Sequence, residues 1–451
     1  MITKSVLLLS LFSLVRSQGA GTLYQNETRP QFSYHKCDAS GACTDQQGYL
    51  VLDANWRWLH AKGNWSSCID NLVGWDDQYC PDGLTCAKSC EYDGAEYARV
   101  YGINVSKDSV SMRYLTYLDF AFNYGSRVFL LDGADNKYQL FDLRNQEFSF
   151  DVDMSSLPCG YNGALRFVAM DADGGMAKDP LNAGGAKYGT GYCDGNCTRS
   201  NRFVNGLANV ENWEFPYNAD GVATGKYGAC CTEMGIWEAN SRATALTAHP
   251  CSGEGVGQTR CSGSSCGNGN EGICDGSGCD FNPYRLGDRT FFGAGKVDTK
   301  GKLTVITQFL TDTNSTKGIL SEIRRIYVQN GKVIQNAKTN VPGMKSFDSI
   351  SDAFCDAQKT AFGDPNVFKG KGGLAAVGRA FERGMVLSME IGHDVYTDLA
   401  WLNSNYPPSR DPSAPGVARG PCPVQEDPSQ RSPTVVFSNI KVGPIGSTYA
   451  H

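Results

Sequence analysis

Apolar and polar side chains alternate strictly along Glu147-Phe148-Ser149-Phe150-Asp151-Val152-Asp153-Met154. A period of two puts every apolar side chain on one face, so the stretch reads as a strand with that face in a core. Residues 114–154 are β in pattern throughout, and further strands are predicted at 165–170, 303–310, 323–328, 385–389 and 435–442. Asn330-Gly331 is a strong hairpin signal ahead of a strand at 332–335. Residues 49–58 read as a strand running into Trp56 and Trp58, which at i and i+2 share a face. One helix is predicted, 351–362, with Ser351 as cap and Gly363 as stop. Many short antiparallel strands joined by long loops predict an all-β fold, a jelly-roll sandwich. Strong strand patterns lie near both ends of the chain without a break between them, so one domain is expected over residues 18–451.

Composition narrows the class. The chain has 451 residues and a net charge of −6, with no long basic or acidic block, which argues against nucleic acid or an anionic membrane as partner. Residues 1–17 carry Lys4, an apolar core from Val6 to Val15, then Arg16-Ser17. That is the pattern of a secretory leader cleaved before Gln18, and it is too short to span a bilayer comfortably. Eighteen cysteines, an even number, fit an oxidising, extracellular destination. Sequons at Asn26, Asn64, Asn104, Asn196 and Asn314 fit the same compartment. Cys80, Cys86 and Cys90 lack the paired knuckles of a zinc ribbon, so disulfides are expected instead. The acidic turn Asp171-Ala172-Asp173-Gly174-Gly175 lacks the later ligands of a calcium loop. No metal or organic cofactor is implied.

The candidate chemistry lies in Cys230-Cys231-Thr232-Glu233-Met234-Gly235-Ile236-Trp237-Glu238-Ala239-Asn240-Ser241. On a regular strand Glu233 and Glu238, five residues apart, point to opposite faces. One bulged residue near Ile236-Trp237 returns both to the same face, and bulges often re-aim side chains beside active sites. The two Cα atoms are then roughly 13 Å apart, a span across which two glutamates can lean together. Isolated, such a pair is more often two solvated acids, and a lone histidine before proline, as at His249-Pro250, is more often structural.

The surroundings change those odds. The glutamate strand resembles the signature of glycoside hydrolase family 7, the cellobiohydrolases and endoglucanases that cut cellulose. The resemblance extends to Asp53-Ala54-Asn55-Trp56-Arg57-Trp58, Met170-Asp171-Ala172-Asp173-Gly174-Gly175, Ala186-Lys187-Tyr188-Gly189-Thr190-Gly191-Tyr192-Cys193 and Phe437-Ser438-Asn439-Ile440-Lys441-Val442-Gly443-Pro444. It implies two curved antiparallel sheets whose loops roof a cleft or tunnel. It implies Glu233 as nucleophile, Glu238 as acid/base and His249 as an active-site histidine. Trp58 is implied at the tunnel entrance, with Trp56 a further substrate-binding candidate although one of the two is expected to pack in the core; Trp401 and Arg419 are implied on the product side, and Arg127, Tyr192 and Asp194 along the cleft. The implied disulfides are 37–43, 68–90, 80–86, 159–422, 193–230, 197–231, 251–274, 261–266 and 279–355. A further bridge of many fungal members is absent, with Gly21 and Glu91 at its two positions. No linker to a terminal cellulose-binding module is present in the sequence.

The chain also departs from the resemblance. Gly235 stands where the motif has Asp, Gly392-His393-Asp394 where it has Trp-Asp-Asp, Arg166 where fungal members have Tyr, and Ser277 where they have a product-site Asp. An Asp at 235 is expected to sit beside Glu233 and to speed it. The expected function is a secreted, monomeric, retaining β-1,4-glucanase that releases cellobiose from cellulose, its tunnel walled by the loop 213–227. The alternatives are a catalytically weak glucan-binding protein on the same scaffold, motivated by Gly235 and Gly392, or an endoglucanase.

Overall fold

A computed structural model describes residues 18–21, 26–70, 73–119, 121–214, 223–253, 257–394, 397–423 and 432–449. The leader assigned to residues 1–17 lies outside these, as do residues 215–222 of the proposed wall loop.

The fold is a β-jelly-roll sandwich of two curved antiparallel sheets. In the concave sheet, neighbouring strands run in the order Gln31–Cys37, Cys43–Leu52, Ser126–Leu131, Met385–His393, Tyr161–Val168, Glu233–Ala239, Thr244–His249 and Cys279–Phe281. The second sheet runs Ile103–Ser106, Ser109–Arg113, Thr434–Pro444, Gln146–Asp153, Leu303–Thr311, Leu320–Gln329 and Lys332–Gln335. Two parallel pairs, His35 with Lys441 and Lys36 with Val442, join them. The alternating strand Gln146–Asp153 turns Phe148 and Phe150 inward. There Phe148 meets Phe167 edge-on at 5.0 Å and Phe150 meets Trp237 at 6.0 Å, so the aromatic layer lies between the sheets. Each such fully buried ring contributes roughly 1.5–3 kcal/mol.

All the predicted strands are present, most of them longer than the pattern implied, and the helix Asp352–Phe362 carries both caps. Two expectations need correction. The strand Cys43–Leu52 stops before the tryptophans, because Asp53 Oδ1 accepts from the Asn55 N–H and starts a 3₁₀ turn, Ala54–Trp56. Trp56 and Trp58 therefore do not share a strand face. Nine disulfides form among the described residues; seven are as implied, but the adjacent pair is exchanged, to Cys193–Cys231 and Cys197–Cys230. Register decides this: an antiparallel bridge sets Thr198 opposite Ala229, which brings Cys197 beside Cys230 with Cα atoms 4.0 Å apart. Gly21 and Glu91 are neighbours, since a Cβ on Gly21 would come within 2.9 Å of the Glu91 carboxyl carbon.

Candidate active site

The glutamate strand carries the expected bulge. Against Tyr161–Val168 its pairing jumps between Leu165–Trp237 and Arg166–Gly235, and against Thr244–His249 it shifts between Gly235 and Glu238. Trp237 is fully buried in the sandwich, while Glu233 and Glu238 both reach Arg166 on the concave face. Arg166 Nε stands 3.1 Å from an oxygen of each glutamate, so those two oxygens cannot be more than twice 3.1 Å, or 6.2 Å, apart.

Each glutamate has a further donor. Glu233 accepts a 3.0 Å hydrogen bond from the Gly195 N–H, and Glu238 a 3.4 Å one from the Thr247 hydroxyl. Position 195 must be glycine for that approach, because a Cβ there would come within 2.4 Å of His249 Cβ. His249 is the cross-strand partner of Glu233, and its Nδ1 donates to the Asp275 carbonyl at 2.9 Å. Asp194 is buried beside Glu233 and accepts from the Tyr192 hydroxyl at 3.1 Å. Burial and then the charge of Glu233 push its carboxyl up to about 6.

A row of charges crosses the concave sheet, one strand at a time. Asp53 Oδ2 meets Arg127 Nη1 at 3.0 Å, Arg127 Nε meets Glu390 Oε2 at 3.0 Å, and the same Glu390 oxygen meets Arg166 Nη1 at 2.6 Å. Burial resists ionisation of Glu390, but the guanidiniums of Arg127 and then Arg166 overcome it and pull the carboxyl down to about 2. Arg127 lies 3.6 Å over the Tyr192 ring, with Trp56 at 5.3 Å. Tyr192 is 3% exposed and packs beneath Arg127. Glu390, and the contacts Arg166 makes, are what sequence reasoning missed. The signal for Glu390 was an acid inside the apolar strand pattern 385–391.

A cavity of about 420 Å³ opens beside Glu238 and is walled by Arg166, His249, Trp401, Arg419 and Ser277. The half-buried Trp401 stands on the short helix Ala400–Asn403, and Arg419 donates from Nη1 to its carbonyl at 3.3 Å. Burial and then neighbouring Arg285 lower the Arg419 guanidinium to about 10. Trp56, Trp58, Arg127, Tyr192 and Asp194 lie outside this cavity. Trp58 donates from Nε1 to the Ser67 hydroxyl and lies 5.8 Å from Trp65, which is 72% exposed. At Gly392, among the described residues, an added Cβ would find only Glu390 Oε1 within 4 Å, at 3.3 Å. At Gly235 the nearest carboxyl is that of Glu238, at 3.4 Å, not that of Glu233. A side chain at 235 would therefore set out alongside Glu238.

Two buried acids close together, one of them, Glu238, lining a cavity with an indole wall, make an arrangement suited to a glycoside hydrolase. The family model of glycosyl hydrolase family 7 matches residues 21–449, and the chain belongs to that family. Among solved structures it is similar to a family 7 cellobiohydrolase from Daphnia pulex, with 44% identity over 96% of this chain and 100% of that one and a TM-score of 0.92. A cellobiohydrolase from Melanocarpus albomyces in complex with cellotetraose matches at 38% identity, 96% and 99% coverage and TM-score 0.87. The Humicola insolens endocellulase EGI matches at 33% identity, 96% and 100% coverage and TM-score 0.79.

Proposed function

We propose that this protein is a secreted retaining β-1,4-glucanase that hydrolyses cellulose and releases cellobiose. The observation that carries the mechanism is the approach of the two carboxylates to one guanidinium nitrogen, which keeps Oε1 of Glu233 and Oε1 of Glu238 within 6.2 Å of each other. A retaining pair needs about 5–5.5 Å, whereas an inverting pair is held about 6.5–9.5 Å apart to admit a water. In this reading Glu233 attacks the anomeric carbon while Glu238 protonates the leaving oxygen. Glu238 then takes a proton from water, which displaces Glu233 and frees the sugar with its original configuration. His249 Nε2 and Arg419 hold hydroxyls of the leaving sugar, which stacks on Trp401; their shared cavity next to Glu238 supports that side as the product side. Trp56, Trp58 and Arg127 receive the other end of the chain.

Residues 1–17 act as the leader, and residues 18–451 form one catalytic domain that works as a monomer; the sheets that pair strands from both ends of the chain support the single domain. Proton NMR of the first product formed from a soluble cello-oligosaccharide tests the mechanism, with the β-anomer expected and the α-anomer refuting it. A timed product profile on cellulose tests the exo mode. Cellobiose should dominate from the start, and a mixture of lengths with fast viscosity loss would assign an endoglucanase instead. One observation favours a glucan-binding protein with weak turnover: Arg166 neutralises both glutamates at once. Absence of reducing-sugar release from amorphous cellulose would decide for it.

A further inference from the structure

Arg166 uses three nitrogens on three carboxylates. Nε stands 3.1 Å from Glu233 Oε1 and 3.1 Å from Glu238 Oε1, Nη2 stands 3.0 Å from Glu238 Oε1, and Nη1 stands 2.6 Å from Glu390 Oε2. Its far end is itself fixed. Glu390 is gripped from the other side by Arg127, and Arg127 by the buried Asp53 that starts the 3₁₀ turn. The groups stand on adjacent strands of one sheet, so the guanidinium is held by rigid backbone rather than by a loop. By contrast, among the described residues Glu233 has one neutral donor of its own, Gly195, and Glu238 has one, the long bond from Thr247. Gly235 is the cross-strand partner of Arg166, and a Cβ there would stand 3.4 Å from the Glu238 carboxylate that Arg166 holds.

We propose that Arg166, held by Glu390, is the positioning residue for this site: it sets the spacing and orientation of both Glu233 and Glu238. The planar fork suits the task, since two nitrogens at a fixed angle orient carboxylates in a way that a point charge does not. Arg166 acts through the two glutamates, and the inference rests on reading them as the catalytic pair.

The test uses the full secreted chain and an aryl β-cellobioside, with thermal unfolding to confirm folding. Arg166→Met keeps the bulk and removes the fork, and kcat should fall about 100-fold, the scale of a roughly 1 Å misplacement. KM should move by less than about threefold, since ground-state sugar contacts are untouched. Arg166→Lys should recover only part of the loss. Arg166→Ala should regain activity with millimolar guanidinium and not with urea at the same concentration. A folded Arg166→Met variant with near-normal kcat overturns the inference, and so does a loss confined to KM. Loss in all three variants without guanidinium rescue also overturns it, because that is the signature of a merely structural arginine. Glu233→Gln and Glu238→Gln are run beside them on natural glucan, where no good leaving group substitutes for the acid. If both still hydrolyse glucan, the catalytic-pair reading fails; if both are dead there while Arg166→Met is normal, only the positioning role fails.

Discussion

Glu390→Gln isolates what the charge row does for stability. The substitution keeps shape but leaves Arg127 and Arg166 without the oxygen anion they share, 3.0 and 2.6 Å away. The size of the effect follows from the carboxyl itself, which the fold pulls from 4.5 to about 2. A shift of that extent is worth about 3 kcal/mol of folding free energy once the group is fully ionised in both states. Because the folded value lies below the unfolded one, the stabilisation is complete above the unfolded value. It shrinks as pH falls and is lost through the folded value. Urea unfolding of the two proteins should therefore show a gap of about 3 kcal/mol at pH 6 and about half that at pH 3. A gap that stays constant over that range, or widens in acid, would refute the reasoning, because only an ionised Glu390 in the native state gives this slope.

Three further outcomes are expected. Glu238→Gln should abolish hydrolysis of natural glucan, since an amide donates no catalytic proton, yet a substrate with a very good leaving group should keep its first step; equal loss on both would count against the acid/base role. Gly235→Asp should lower kcat on cello-oligosaccharides by about tenfold, because the new carboxylate runs alongside Glu238 and competes for Arg166, and a faster variant would contradict that geometry. Asp194, raised by burial and Glu233 to about 6, costs the wild-type protein stability as pH rises from about 4 to 6, by up to about 3 kcal/mol. Asp194→Asn should remove that decline, read as a melting midpoint that holds up better between pH 4.5 and 7.

The strands were legible because alternation is a local property, and the bulge was legible because two acids five apart cannot otherwise share a face. The helix Gly373–Arg383 was missed although Leu374, Val377 and Phe381 mark its buried side. It begins at Gly372 with no side-chain cap, so no capping residue in the sequence announces it. Trp56 and Trp58 were misread because Asp53 ends the strand through a side-chain bond that strand periodicity does not register. The exchange between Cys230 and Cys231 depends on the pairing of Thr198 with Ala229, a tertiary register. The same limit hid the work of Arg166, whose partners lie 72 and 224 residues away.

The placement of the strand Thr434–Pro444 has a consequence for how the protein comes into being. It pairs with Gln146–Asp153 on one side and Ser109–Arg113 on the other, about three hundred positions earlier in the chain. Thr448 and Gly446 then close on the buried Glu147 carboxylate, which takes four hydrogen bonds at 2.7–2.9 Å, one of them from Gln308. Synthesis runs from the other end, so the first half emerges with its strand edges bare and no partner yet made. Such a topology folds late and slowly, and its waiting strands are open to mispairing with one another or with other chains. A host producing it must shield those edges for the minute or so that translation takes, and yield will respond to chaperone supply more than to any single contact in the cleft.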